Sequence, residues 1–162
     1  MIKIRDAKES DLEQLTGIYN WAVRNTTATF DLVEQTVEKR REWFKHYGGN
    51  YPLIVAEVDG KVVGYSSLSS FREKEAYEKT VEISVYIDPE YHGRGIGTEL
   101  MTKVIEMGKE LKHHVIISGI TAGNDISVRM HEKLGFQLCG NLKEVGFKFG
   151  MWQDVLFYSI IL

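Results

Sequence analysis

Thr80-Val81-Glu82-Ile83-Ser84-Val85-Tyr86-Ile87-Asp88-Pro89-Glu90-Tyr91-His92-Gly93-Arg94-Gly95-Ile96-Gly97-Thr98 is the stretch on which the fold turns. From Thr80 to Ile87 it alternates, with Val81, Ile83, Val85 and Ile87 on one face and Thr80, Glu82, Ser84 and Tyr86 on the other, the period of a strand. Asp88-Pro89 ends that run, and Leu100, Val104, Met107 and Leu111 then recur at helical spacing. The order is strand, glycine loop, helix. Gly93, Gly95 and Gly97 let the backbone approach a ligand without a Cβ in the way. Their N–H groups, with those of Arg94, Ile96 and Thr98, can converge at a helix N-terminus, where the macrodipole favours an anion such as a pyrophosphate. No Gly-Lys-Ser/Thr follows, and neither Thr98 nor Leu100 supplies the last glycine of G-x-G-x-x-G. The spacing therefore speaks against both a Walker loop and a Rossmann fingerprint.

Leu53–Val58, Asp59-Gly60 and Lys61–Leu68 read as a β-hairpin, because Asp-Gly tolerates the positive φ angles of a type I′ turn. Ile2–Arg5 alternates like a short strand. The capping-box pattern Ser10-Asp11-Leu12-Glu13 predicts the start of a helix that carries Leu12, Leu15, Ile18, Tyr19 and Ala22. After the loop Asn25–Thr29, a second helix is expected over about residues 34–47, stopped by Gly48-Gly49. Beyond the central helix, Val115–Ile120 reads as a strand, Ser127–Leu134 as a short helix stopped by Gly135, and Phe136–Cys139 and Val155–Ile161 as strands. Strands and helices alternate in an α/β arrangement.

The chain has 162 residues, 43% hydrophobic and 27% charged, enough for one domain, 1–162, with a real core. A net charge of -3 offers no broad basic field for nucleic acid or an anionic membrane. Cys139 is the one cysteine, so no intramolecular disulfide forms, and no Cys/His cluster has zinc spacing; no metal is expected. With no long apolar run at the N-terminus or elsewhere, the expected location is the cytoplasm.

Residues 84–97 resemble motif A of the GNAT superfamily of N-acetyltransferases, in which a Gln/Arg-x-x-Gly-x-Gly/Ala loop binds the pyrophosphate of acetyl-CoA; His92 stands where Gln or Arg is usual. Further pieces resemble the phosphinothricin and methionine sulfoximine acetyltransferase branch. They are residues 55–60, Ala76-Tyr77, residues 81–86, Ser127–Glu132, Gly146-Phe147-Lys148 and Trp152–Val155. The resemblance implies a curved mixed sheet flanked by helices and splayed between its fourth and fifth strands. It also implies acetyl transfer from acetyl-CoA, without a metal, to the amine of a small molecule such as an amino acid, methionine sulfoximine, methionine sulfone or phosphinothricin, and a homodimer. A non-catalytic acyl-CoA-binding protein and a protein or peptide acetyltransferase are the alternatives.

By that resemblance Val85, Tyr86 and Ile87 meet the pantetheine and acetyl group, residues 93–98 hold the pyrophosphate, and Asn124 adds a side-chain contact while also suiting a helix cap. Direct transfer needs a neutral amine, donors for an oxyanion and a proton for the thiolate. Glu82 is the candidate base, provided burial raises its pKa from about 4.3. His131, two turns after Asn124 on the same helical face, is the candidate acid or else a packed histidine. Arg72, with Lys74, is the candidate for an acceptor carboxylate, although a run of mixed charges also suits a solvated face. Thr27 and Phe30 fall where the family closes over its acceptor.

Overall fold

The computed structural model describes residues 1–162. The elements run β1 (Ile2–Asp6), α1 (Leu12–Asn25), α2 (Val37–Phe44), β2 (Leu53–Val58), β3 (Lys61–Ser70), β4 (Thr80–Ile87), α3 (Ile96–Glu110), β5 (Val115–Thr121), α4 (Asp125–Lys133), β6 (Gln137–Lys148) and β7 (Met151–Ile161). They form a seven-stranded sheet in the order β1-β2-β3-β4-β5-β7-β6, mixed because β4 and β5 alone run parallel. The β2–β3 hairpin turns at Asp59 and Gly60, with φ of 49° and 80°, as Asp-Gly requires.

Apolar side chains cover both faces. The stripe Ile96, Leu100, Met101, Val104 and Ile105 of α3 packs on Ile54, Val63, Leu68, Val81 and Ile83. On the opposite face Leu15 and Ile18 of α1 pack on Leu53, Val55, Val62 and Tyr65. A strand covered on both sides loses its alternation, and β3 is buried from Val62 to Leu68.

The sheet opens where the resemblance implied. β4 and β5 are in register at Thr80–Val115, Val81–Ile116 and Glu82–Ile117, and no further, whereas β4 stays paired with β3 along Val81–Ile87. From Ile83 onward β4 therefore has one bonded edge and one free edge. Peptide groups alternate in direction along a strand, so some of its N–H and C=O groups face the opening.

Four boundaries differ from expectation. Ser10 does not cap α1. A 3-10 turn, Glu9–Asp11, precedes the helix, and the Asp11 carboxylate accepts the Lys8 N–H at 2.8 Å. Arg5 grips the same carboxylate with Nη1 at 2.8 Å and Nη2 at 3.0 Å, and Nη2 also reaches Glu57 at 3.0 Å, a network that holds Asp11 in place of the hydroxyl. Helix α2 is shorter than residues 34–47. Asn20 clasps Gln35, accepting its N–H at 2.8 Å and donating to its carbonyl at 2.9 Å, and Thr36 becomes the cap. Helix α4 starts at Asp125, two residues before the expected Ser127. β6 and β7 are far longer than residues 136–139 and 155–161, because Phe149 and Gly150, with φ of 55° and 71°, close a hairpin without an Asn-Gly or Asp-Gly signature.

The Asp11 network yields a first expectation. Arg5 and the Lys8 N–H hold the Asp11 carboxyl below its ordinary range against the opposing effect of burial. Its stabilisation is present above the unfolded value and lost as pH falls through the lower folded value. Asp11→Asn is expected to cost about 2 kcal/mol at pH 7, leaving Arg5 half-paired, and much less at pH 2–3. Urea unfolding at both pH values checks this.

Candidate active site

The opening between β4 and β5 is a narrow slot of about 90 Å³. Val85 and Tyr86 line one side, Ser118 and Gly119 another, and Asn124 lines it together with Ser127 and His131 of α4. Asn124 caps α4 by accepting the Ser127 N–H at 3.3 Å, yet its side chain also borders the slot, so its two expected placements coincide. Ile87 does not line the slot. Its side chain packs against the core, and its carbonyl accepts a hydrogen bond from the His92 ring at 3.0 Å.

That bond leads into the glycine loop. Gly93 and Gly95 have φ of 76° and 78°, and a Cβ on either would meet nothing within 4 Å, so backbone conformation is what selects glycine there. Gly95 starts the fifteen-residue α3 with no side-chain cap. The first-turn amides of Ile96, Gly97 and Thr98 thus lack a side-chain acceptor at the positive end of a long helix, a cradle suited to pyrophosphate. Gly97 differs from expectation. It lies inside α3, where a Cβ would come within 3.1 Å of Met130 Sδ, so its smallness serves the packing of α3 on α4. Arg94 lies with its guanidinium 4.8 Å from the Tyr91 ring centroid.

Glu82 is the last β4 residue in register with β5 and stands at the start of the opening. Burial alone pushes its carboxyl above the ordinary range. Cross-strand register sets Glu82 beside Ser69, Ser84 beside Ser67 and Tyr86 beside Tyr65, so these six side chains form two adjacent rows on the α1–α2 face.

His131 is buried. The Ser127 carbonyl, 2.7 Å from Nδ1, can only accept, so Nδ1 carries the proton and Nε2 accepts the Ser118 hydroxyl at 2.8 Å. Burial lowers the pKa, with the Ser127 bond opposing it. A neutral ring bonded in this way turns no N–H toward the slot, an arrangement that fits the packed histidine of the two readings: His131 fixes the Ser118 hydroxyl. With the folded pKa depressed, its contribution to stability is present above the unfolded value of about 6.5 and lost as pH falls below it. Wild-type protein is therefore expected to lose Tm more steeply than His131→Asn between pH 7 and pH 5, as thermal melts would show.

Ser84 and Tyr86 also belong to a larger cavity of about 620 Å³ between α1, α2 and the sheet. The α1–α2 loop lies between the two spaces. The Thr27 carbonyl accepts the Thr121 hydroxyl at 2.7 Å, Ala28 borders the slot, and the Thr29 carbonyl accepts Lys148 Nζ at 2.8 Å. Asp31, bonded to the Tyr19 hydroxyl, lines the larger cavity. Burial raises the Tyr19 hydroxyl to about 12 and lowers the Lys148 ammonium. Phe30 instead packs over Gly146 of β6, where a Cβ would meet its ring at 2.3 Å. Arg72 and Lys74 are exposed just after β3 and line neither space; the Arg72 guanidinium lies 4.9 Å from the Phe71 ring and 6.0 Å from that of Tyr77.

Several cavity residues escaped the sequence reading, above all Arg40. It sits in the basic run Lys39-Arg40-Arg41, yet it is 5% exposed. The available signal was the polar run Ser66-Ser67-Leu68-Ser69-Ser70 within an otherwise apolar strand.

No group of three His, Cys, Asp or Glu side chains is placed to hold a metal ion, and no helix is long and apolar enough to cross a membrane. Residues 15–136 match the Acetyltransferase (GNAT) family. An L-methionine sulfoximine/L-methionine sulfone acetyltransferase of Pseudomonas aeruginosa is 38% identical over 161 residues, 98% of this chain and 94% of that one. The crystal structure of a phosphinothricin acetyltransferase from Sinorhizobium meliloti in complex with acetyl-CoA is 36% identical, with a TM-score of 0.96 over 99% of this chain and 88% of that one. That of a ribosomal-protein-alanine N-acetyltransferase from Brucella melitensis is 44% identical, with a TM-score of 0.96 over 99% of each chain. Sequence match and superposition both extend over most of the molecule and include the splayed strands and the glycine turn, and the chain belongs to the acetyltransferase (GNAT) family.

Proposed function

We propose that the chain, as one domain over residues 1–162, acetylates the amine of a free amino acid or an oxidised or phosphorus-bearing analogue such as methionine sulfoximine, methionine sulfone or phosphinothricin, with acetyl-CoA as donor. The observation that carries this reading is the pair Ser84 and Tyr86, shared by the slot and the larger cavity, so that a donor in one and an acceptor in the other meet at β4. Acetyl-CoA supplies an activated thioester: the amine adds to its carbonyl to form the C–N bond, and the C–S bond then breaks to release the CoA thiolate, which takes a proton from water. Residues 93–98 hold its pyrophosphate through backbone amides, while Val85, Tyr86 and Asn124 border its arm. Glu82 takes the proton that the acceptor ammonium must lose, directly or through one water; its partial burial and raised pKa favour that role. A backbone N–H on the free edge of β4 receives the developing oxyanion. Arg72, beyond β3 at the Glu82 end of the two rows, takes the α-carboxylate, with Lys74 beside it.

The exposed apolar residues Leu138, Leu142, Val145, Phe147 and Trp152 of β6 and β7 support a homodimer, which sedimentation would detect. The reading as a cytosolic enzyme rests on the single unpaired Cys139. A second reading, acetylation of protein N-termini, is favoured by the name of the Brucella relative. The two are separated by release of free CoA thiol with a panel of methionine sulfone, methionine sulfoximine, phosphinothricin, common amino acids and alanine-terminated peptides. Turnover on the amino-acid analogues is expected; turnover on peptides alone selects the second reading, and acetyl-CoA binding without turnover on any amine selects a non-catalytic protein.

A further inference from the structure

The larger cavity contains a buried cation with no part in the proposed acetyl transfer. Arg40 is 5% exposed, its guanidinium held 4.2 Å from the Tyr19 ring and 3.5 Å from the Trp43 ring, with Nη2 donating to the Tyr65 hydroxyl at 3.0 Å. None of the ion pairs of the protein includes it, and its buried Nε has no partner. In the same cavity the Ser67 hydroxyl, on a residue 1% exposed, is also without a partner. A buried donor left unmade costs free energy, and two of them lining one cavity point to a ligand that accepts from both.

Position along the strands says which part of a ligand that is. Ser67–Ser84 is one step, roughly 6.7 Å, from Ser69–Glu82, and Tyr65–Tyr86 is a second step beyond it. An α-amine presented to Glu82 carries its carboxylate on the same carbon, too close to reach Arg40. The tip of a methionine-length side chain extends in that direction. We propose that Arg40 and Ser67 form a subsite for the oxygen-bearing tip of the acceptor's side chain, the S=O of a sulfone or sulfoximine or the P–O of a phosphinate, and so select oxidised or phosphorus-bearing amino acids over plain thioethers. The Arg40 fork and the Ser67 hydroxyl donate to those oxygens, and the Tyr19 and Trp43 rings hold the guanidinium without neutralising it. A thioether has no such oxygen and leaves both donors unpaired on binding. This inference rests on the amino-acid reading of the acceptor.

The test compares kcat/KM for methionine sulfone with that for methionine, which differ only at the tip. Wild-type protein is expected to favour the sulfone. Arg40→Met, which keeps an unbranched stem between the two rings, is expected to shrink that preference at least ~30-fold, mostly through KM, with acetyl-CoA affinity unchanged. Ser67→Ala removes a hydroxyl that has no partner, and is expected to shrink the preference about threefold to tenfold; it decides the matter if Arg40→Met fails to fold. A fall of equal size on both substrates, with the ratio unchanged in both variants, makes Arg40 a strut between α1 and α2 and overturns the subsite. Wild-type protein that acetylates amino acids without favouring the sulfone overturns the subsite alone, and wild-type protein that acetylates no amino acid overturns the acceptor reading and the subsite together.

Discussion

Glu82→Gln is expected to lower kcat by about 10²- to 10⁴-fold, the range that a positioned general base supplies, with the Kd for acetyl-CoA within about twofold of wild type. Gln keeps the size and most of the packing of Glu but cannot accept a proton. In the wild type, burial holds the Glu82 carboxyl above its ordinary range, and a carboxylate can act as a base only when ionised. The kcat profile should therefore rise with pH through a value above the usual carboxylate pKa of about 4.3, and the variant should lack that limb. Stability moves the other way. A carboxyl whose folded pKa is raised contributes stability below its unfolded pKa and loses it as pH rises through the folded value. Glu82→Gln should accordingly raise Tm at pH 8 and leave it nearly unchanged at pH 4. A variant that keeps wild-type kcat and the wild-type pH profile would remove Glu82 from the reaction.

Gly95→Val is expected to raise the Kd for acetyl-CoA at least tenfold, about 1.4 kcal/mol, with the fold retained. Gly95 starts α3 at φ 78°, and a branched side chain strongly disfavours that conformation. Since a Cβ there would meet no atom within 4 Å, the penalty acts on the backbone, and relaxing it turns the amides of residues 96–98 away from a common point. Gly60→Val is the control. Gly60 has φ 80° and equally open surroundings, but it lies in the β2–β3 turn, so the variant should lose comparable stability while binding acetyl-CoA normally. Calorimetric titration of both variants distinguishes a lost cradle from a loosened fold. Equal affinities would mean that the first turn of α3 does not hold the pyrophosphate.

Much of this geometry was legible because it is local. Alternation from Thr80 to Ile87, the Asp59-Gly60 turn and the α3 stripe each follow from backbone periodicity, and each element stands within a residue or two of its expected place. The shorter α2 and the β6–β7 hairpin were not legible in the same way. Asn20 reaches across from α1 to hold Gln35 out of the helix, and the Phe149-Gly150 turn has no strong turn residue in its first position. The site divides along the same line. Gly95 and Asn124 are tied to the start of a helix, so a sequence can show them. His131 lines the slot, but its bonds to Ser118 and Ser127, which orient its ring, depend on β5 lying against α4.

The order strand, glycine turn, helix was set by residues 80–111 alone, because φ preferences and hydrophobic period act between near neighbours. Which of Lys39, Arg40 and Arg41 would be buried was not. That choice depends on Tyr19, Trp43 and Tyr65 arriving from α1, α2 and β3 around a single guanidinium, and the environment of a buried charge is made by elements distant in the chain. The order of groups along the β4 edge was thus written locally, while the shape and charge of the larger cavity came only from packing two helices onto the sheet.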